Sequence, residues 1–139
     1  MEKETMQSLM RVAIEYRLRA YAPYSKFKVG AALLTEEGQI FGGCNIENAS
    51  YTPTNCAERT AFFKAVSEGY FKFKGIAIVG GKEDAELQFC APCGVCRQVM
   101  MEFCDPETFI VVLGTSVDDF KAYTLKEILP LGFGPEDLK

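Results

Sequence analysis

Three cysteines and one glutamate have the residue types and the spacing of a catalytic metal site. Glu58 follows Cys56 by two residues, and Cys93 and Cys96 are three residues apart in a second segment. Three thiolates hold a zinc ion tetrahedrally and leave one position open for water. A carboxylate beside that position would move the protons of the water, so the pattern indicates hydrolytic chemistry.

Each part of this pattern also has a simpler interpretation. A single Cys-x-x-Cys pair is typical of redox sites, and a structural zinc would need a fourth ligand, for which Cys44, Cys90 and Cys104 are available. Glu58 stands three residues after Asn55, which is the spacing of a capping box at a helix start. None of these three cysteines forms a Cys-x-x-Cys pair independent of Cys93 and Cys96, which favours the open site and assigns all three to the core.

Composition predicts one domain, residues 1–139, with a small-molecule substrate. Hydrophobic residues make up 48% of the chain and charged residues 24%, as is usual for a globular domain. Histidine is absent, so it can be neither a metal ligand nor a general base. The formal charge is −4 and the 15 Lys and Arg residues are scattered, so no basic stripe is present to bind nucleic acid.

From the sequence we expect neither a secretory leader nor a membrane span. It begins with Met1, Glu2, Lys3 and Glu4, unlike the start of a signal peptide. No apolar run approaches the roughly 20 residues of a membrane helix. We therefore expect a cytoplasmic protein with reduced cysteines and no membrane partner.

The elements that must position the site alternate between helices and strands. Helical periodicity predicts helices over 4–21, 55–69 and 92–103 and a last helical turn over 125–129. Apolar runs predict strands over 29–35, 39–44, 75–79, 109–113 and 120–124, and a short extended segment over 87–90.

This order predicts an α/β fold, a three-layer α-β-α sandwich around a mixed five-stranded sheet. The connection between the last two strands is too short for a parallel crossover, so we expect them to be antiparallel. Cys56 and Cys93 lie near two predicted helix starts, where free N–H groups and the helix dipole stabilise thiolates. Arg59 and Arg97 flank them and could donate hydrogen bonds to the sulfurs.

Three segments resemble the small homotetrameric cytidine deaminases, namely 45–51, 56–61 and 92–98. The resemblance extends over nearly the whole chain, from 24–32 to 129–133. The three cysteines and Glu58 match the all-cysteine variant of the zinc deaminase signature, in which the glutamate is not a ligand. The resemblance implies hydrolysis of cytidine and 2'-deoxycytidine to uridine and 2'-deoxyuridine, with release of ammonia, in pyrimidine salvage.

The resemblance also implies the roles of the residues around the metal. One zinc ion per subunit would be held by Cys56, Cys93 and Cys96. Glu58 would be the catalytic proton shuttle. Arg59 would offset the charge of the thiolates.

The substrate-binding residues are implied in the same way. Asn45 and Glu47 would bond the ribose hydroxyl, and Phe27 would pack against the pyrimidine. Ala57 would offer its backbone N–H to the base. Two aromatic residues would complete the pocket, partly from a neighbouring subunit of the homotetramer: Tyr51 and Phe133. Without the resemblance, Asn45 and Glu47 would be interpreted as turn and loop residues, and Phe27 and Phe133 as core.

Three other functions share part of the pattern. A deaminase of a cytosine nucleoside antibiotic, of the blasticidin S type, has the same Cys-x-Glu and Pro-Cys-x-x-Cys core, but Asn45 and Glu47 favour an ordinary ribose. A nucleic-acid-editing deaminase is disfavoured by the compact, acidic chain. A non-catalytic zinc-stabilised interaction module predicts a fourth ligand and no role for Glu58.

Overall fold

Five strands form one mixed sheet in the computed structural model, which describes residues 1–139. The strands are β1 (Phe27–Thr35), β2 (Ile40–Cys44), β3 (Phe73–Lys82), β4 (Ile110–Ser116) and β5 (Asp119–Thr124). The helices are α1 (Lys3–Arg17), α2 (Ala57–Ser67), α3 (Gly94–Phe103) and α4 (Leu125–Ile128), followed by a 3-10 turn at Pro135–Leu138. The predicted α/β architecture is confirmed.

The strand order in the sheet is β2-β1-β3-β4-β5. The β3–β4 pair is parallel, with Gly75 opposite Ile110, and α3 forms the crossover between these two strands. All other neighbours are antiparallel, including β4 and β5 as predicted. The single parallel pair matters for the site, because its crossover delivers the Cys-x-x-Cys segment.

Strand alternation divides the core into two apolar layers. On one face, Leu33, Ile76 and Val111 pack with residues of α2, α3 and α4. On the other face, Ala32 and Ala77 pack against α1. Successive side chains of a strand point to opposite faces, so each buried strand supplies both layers and reads as a continuous apolar run. The result is the predicted three-layer α-β-α arrangement.

Helix α1 ends at Arg17, four residues before the predicted end. The N–H groups of Leu18, Arg19 and Ala20 bond to carbonyls three residues back, and the N–H of Tyr21 bonds to the carbonyl of Asn45. A tertiary backbone bond to the loop after β2 therefore replaces the last helical turn.

No helix of the structure has the length and apolar character that crossing a membrane requires.

Helices α2 and α3 each begin two residues later than predicted, because Cys56 and Cys93 are extended cap residues and not helical ones. The prediction that Gly69 ends α2 is confirmed, since Gly69 has φ of +93° just after the C-cap residue of the helix.

Strand β3 is longer than predicted and the 87–90 segment is not a strand. Gly80 and Gly81 continue β3 because they pair with Val29 and Lys28 of β1. Only an isolated bridge joins Gln88 to Gly80. Glycines lower the strand propensity of the sequence, but pairing with a neighbouring strand overrides it.

Candidate metal centre and active site

The starts of α2 and α3 place the three predicted ligands together. Cys56 is the N-cap of α2 and Cys93 the N-cap of α3, both with extended backbone and without a side-chain capping bond. Cys96 lies one turn into α3 and is buried. Because neither cap thiol is engaged by its own helix, both sulfurs are free to face the third.

The distances between the sulfurs suit zinc. The Cys56 and Cys93 sulfurs are 3.8 Å apart, and those of Cys93 and Cys96 are 3.5 Å apart. All three lie within 4.8 Å of one another. A zinc–sulfur bond of about 2.3 Å at tetrahedral angles implies sulfurs about 3.8 Å apart, so the donor set fits the ion with little movement.

No fourth ligand joins the cluster. The group of potential metal ligands contains only the three thiols, and Cys44, Cys90 and Cys104 lie outside it. Burial raises the pKa of Cys44, Cys90 and Cys104, which disfavours their thiolate forms. The site therefore has the three-ligand, open form of catalytic zinc sites and not the closed form of structural ones.

Arg59 supplies positive charge to the thiols. Its Nη2 donates to the Cys56 sulfur at 3.4 Å, and its buried Nε has no protein partner. The pKa of Cys56 is lowered, chiefly by the neighbouring Cys96 thiol and then by Arg59. Arg59 thus favours the thiolate that a metal requires.

Arg97 does not have the role suggested by its position in the sequence. Its Nε donates to the carbonyl of Pro92 at 2.7 Å, and its Nη1 donates to the carbonyl of Ile128. The prediction that Arg97 bonds a sulfur is therefore wrong. Its guanidinium ties the loop before α3 to α4, where two backbone acceptors need a donor.

Glu58 is buried beside the cluster, with 4% of its surface exposed. Burial raises the pKa of its carboxyl group to about 7, and the charge of Cys56 adds to the rise. Glu58 does not form a capping box, because the N-cap is Cys56 and the Asn55 side chain donates to Thr60 at 3.1 Å. A carboxyl group balanced near neutral pH can both accept and donate a proton.

Asn45 holds the start of β1. Its Oδ1 accepts from the backbone N–H of Val29 at 2.8 Å, and its Nδ2 donates to the carbonyl of Phe27 at 2.8 Å. Each group retains capacity for one more hydrogen bond. Asn45 is therefore both a structural residue of the sheet edge and a candidate ligand for a hydroxyl group.

The Phe27 ring lies close to Cys90, because both side chains approach Gly80 of β3. A Cβ atom placed on Gly80 would lie 3.1 Å from Cε1 of Phe27 and 2.9 Å from the sulfur of Cys90. The pKa of Cys90 is raised to about 11, first by burial and then by the charges of Glu58 and Cys56. Cys90 thus lies beside the Phe27 ring and close enough to Glu58 for its charge to act on the thiol, a proximity that the sequence does not reveal.

Glu47 accepts three hydrogen bonds from the segment before β1. The N–H groups of Tyr24 and Ser25 donate to its Oε1 at 3.0 and 3.1 Å, and the hydroxyl of Ser25 donates to its Oε2. These bonds lower the pKa of Glu47, the Ser25 hydroxyl having the largest effect. Ser25 is absent from the predicted site residues, because a serine in a turn has no chemical signature of its own.

Three further predicted residues differ in their accessibility. Ala57 is buried in the first turn of α2, where backbone N–H groups have no intrahelical acceptor. Tyr51 is 75% exposed and lines a surface cleft with Glu47 and Tyr24. Phe133 is 56% exposed, and its carbonyl accepts from Gln98 of α3 at 2.7 Å. The structure thus leaves Tyr51 and Phe133 with open aromatic faces.

Three thiols, an open metal position and a buried carboxylate at the N-terminal ends of α2 and α3 define a metal-dependent hydrolytic enzyme. The family model described as the cytidine and deoxycytidylate deaminase zinc-binding region matches residues 3–112. This chain belongs to that family. The match includes all three thiols, Glu58 and the start of β1.

Individual relatives agree over nearly the whole chain. A cytidine deaminase of Sporosarcina psychrophila is 49% identical over 133 residues, covering 96% of this chain and 94% of that protein. The crystal structure of cytidine deaminase from Burkholderia pseudomallei has a TM-score of 0.80 and 49% identity, covering 91% of this chain and 97% of that one. The corresponding Mycobacterium tuberculosis structure has a TM-score of 0.77 and 34% identity over 91% and 95% of the two chains.

Proposed function

We propose that this protein is a zinc-dependent cytidine deaminase that converts cytidine and 2'-deoxycytidine to uridine and 2'-deoxyuridine. The observation that carries the proposal is the three-thiol cluster without a fourth ligand, beside the buried carboxylate of Glu58. An open metal position and a proton carrier are the parts that hydrolytic deamination needs. Membership of the family supplies the substrate class.

Cys56, Cys93 and Cys96 would hold the zinc ion, which supplies the Lewis acid that activates water for attack at C4 of the base. Glu58 accepts a proton from that water and delivers a proton to N3, which makes C4 more electrophilic. A new C4–O bond forms and the C4–N4 bond breaks. Glu58 then assists proton delivery to the departing amino group, so ammonia leaves.

The proposed substrate contacts surround this centre. The Phe27 ring packs against the pyrimidine, and the free N–H of Ala57 donates to the base. Asn45 and Glu47 bond the ribose hydroxyl, since both retain hydrogen-bonding capacity at the start of β1. These contacts fit the sugar of cytidine or 2'-deoxycytidine and favour an ordinary nucleoside over an antibiotic with a different sugar.

We propose a homotetramer in which neighbouring subunits complete the pocket. The support is the exposure of Tyr51 and Phe133, two large aromatic residues that a soluble monomer gains nothing by leaving in water. Residues 1–139 would act as one catalytic domain. Six free cysteines suit the reducing cytoplasm, where nucleoside salvage would take place.

The decisive experiment measures ammonia release from cytidine by the purified protein and by Glu58→Gln, with the zinc content of both. We expect release by the wild-type protein alone, with zinc in both proteins. Equal release by the variant would overturn the role of Glu58. A zinc-loaded wild-type protein that releases no ammonia would overturn the proposed activity.

A further inference from the structure

The carboxylate of Glu47 has only one acceptor site left after its protein contacts. A carboxylate offers about four lone-pair sites. Oε1 accepts from the N–H groups of Tyr24 and Ser25, and Oε2 accepts from the hydroxyl of Ser25. The remaining lone pair belongs to Oε2, so the orientation of the Ser25 hydroxyl decides where Glu47 can accept from a ligand.

Both sides of the Phe27 backbone are held by residues of the same network. Its N–H donates to the hydroxyl oxygen of Ser25 at 3.0 Å. Its carbonyl accepts from Nδ2 of Asn45 at 2.8 Å. The Ser25 hydroxyl therefore bridges Glu47 and Phe27, donating to the first and accepting from the second.

The backbone of this turn is fixed without the Ser25 hydroxyl. The N–H of Lys26 donates to the carbonyl of Ala22 at 3.1 Å, and the N–H of Glu83 donates to the carbonyl of Lys26 at 2.7 Å. Lys82 also donates to the carbonyl of Ser25 at 3.0 Å. Removal of the hydroxyl alone should leave the turn in place, because these three bonds use only backbone acceptors.

The turn nevertheless contains an unfavourable backbone conformation. Lys26 has φ of +59°, in the left-handed region that non-glycine residues rarely adopt. Surrounding contacts must therefore hold the residue between Ser25 and Phe27 in place. The strained residue joins Ser25 directly to Phe27, a proposed substrate contact, so the surrounding contacts specify the position of Phe27 relative to Ser25.

We propose that Ser25 is a positioning residue that fixes Glu47 and Phe27 relative to each other, and so couples recognition of the ribose to recognition of the base. Ser25 acts through these two residues and does not itself touch the nucleoside. The proposal rests on the proposed function, which assigns the ribose to Glu47 and the pyrimidine to Phe27.

Ser25→Ala removes the bridge and Ser25→Thr retains a hydroxyl. For Ser25→Ala we expect about a tenfold rise in KM for cytidine with kcat within about twofold of wild type, since ground-state and transition-state binding weaken together. Ser25→Thr should recover most of the loss. Ser67→Ala is the matched control, because Ser67 bonds a carbonyl at the far end of α2. A wild-type KM in Ser25→Ala would overturn the proposal, as would loss of zinc or of thermal stability in that variant.

A double-mutant cycle tests whether Ser25 acts through Glu47. If it does, Ser25→Ala should cause a smaller loss of kcat/KM in a Glu47→Ala background than in the wild type, because only its effect on Phe27 remains and the effects of coupled residues are not additive. Fully additive losses would contradict the coupling.

Two readouts do not depend on turnover. Ser25→Ala should weaken the binding of uridine, measured by calorimetry, by about the same tenfold factor. It should also accelerate hydrogen exchange of the Phe27 amide, whose acceptor is lost. An inactive wild-type protein would sink the proposed function alone, whereas unchanged uridine binding and unchanged exchange in Ser25→Ala would sink the role of Ser25.

Discussion

Glu58 is the only charged residue among the buried side chains of this protein. Burying a carboxylate is costly unless it is paired or neutralised, and the pKa of about 7 reflects that cost. If stability alone mattered, an uncharged side chain at this position would avoid the cost of burying a carboxylate. The proposed proton transfer accounts for a buried carboxyl group beside three thiols.

The first prediction separates the stability of Glu58 variants from their activity. Glu58→Gln removes the desolvation penalty of the charged form and keeps the size of the side chain. We expect an unchanged or higher thermal midpoint together with a kcat lower by about 10²–10⁴-fold, the usual contribution of a general acid–base group. Calorimetry and turnover on one preparation provide the check, and a parallel fall of both would indicate a structural role.

Arg59 gives a second prediction at the residue scale. Arg59→Gln removes the donor to the Cys56 sulfur and the positive charge beside the thiolates. We expect zinc affinity to fall by about 10–100-fold, as for other outer contacts of metal ligands. Zinc loss to a competing chelator measures the effect. Arg11→Gln, on the exposed face of α1, is the matched control. Equal zinc retention by the two variants would refute the assignment.

At the scale of elements, the site depends on how closely α2 lies on the sheet. A Cβ atom on Gly43 would be 2.4 Å from the carbonyl oxygen of Ala57 and 2.6 Å from the N–H nitrogen of Ala61. Both contacts are with helix backbone, which cannot rotate away as a side chain can. Glycine at this position of β2 therefore sets the height of the helix that carries Cys56 and Glu58.

The third prediction follows from this close approach. Gly43→Ala should push α2 away from β2 and cost about 1–3 kcal/mol of stability, as overpacking of a core does. We expect kcat to fall as well, because the carboxylate moves relative to the thiols of α3. Gly94→Ala tests the substitution itself, since a Cβ there meets no atom within 4 Å. A stable, fully active Gly43→Ala protein would show that α2 is free to shift.

At the scale of the whole molecule, the exposed aromatic residues are the feature that the single chain leaves unexplained. Tyr51 and Phe133 are both more than half exposed, and Tyr51 has φ of +62°. Large apolar side chains on open surfaces commonly mark interfaces. Completion of the pocket by a second subunit would account for both residues.

The fourth prediction tests completion of the site across subunits. Glu58→Gln and Phe133→Ala homomers should each be weakly active. Mixed assemblies, formed by unfolding and refolding the two together, should recover activity because a site with intact Glu58 can receive an intact Phe133 from its neighbour. Turnover of the mixture against either variant alone measures the recovery.

Sedimentation accompanies the mixing experiment, with the expectation of a species well above the 15.4 kDa of one chain. A fully active monomer would contradict the proposed assembly. Absence of recovery in a mixed tetramer would show that Phe133 serves its own subunit.

The sequence alone determined the sheet-and-helix order and the candidate metal ligands. Both follow from local signals, since periodicity identifies elements and the spacing of Cys93 and Cys96 places two thiols on one helical face. The ends of elements were less predictable. Helix α1 stops early and β3 runs on because bonds to distant segments replaced local preferences.

The tertiary structure alone decided which neighbours each side chain has. It directed Arg59 to a sulfur and Arg97 to two backbone carbonyls, although both stand close to cysteines in the sequence. It also joined Ser25 to Glu47, 22 residues away. The sequence states which residue types are available as metal ligands. Hydrogen-bond partners, however, depend on distances of a few ångströms between segments, and only the packing of the helices on the sheet fixes these distances.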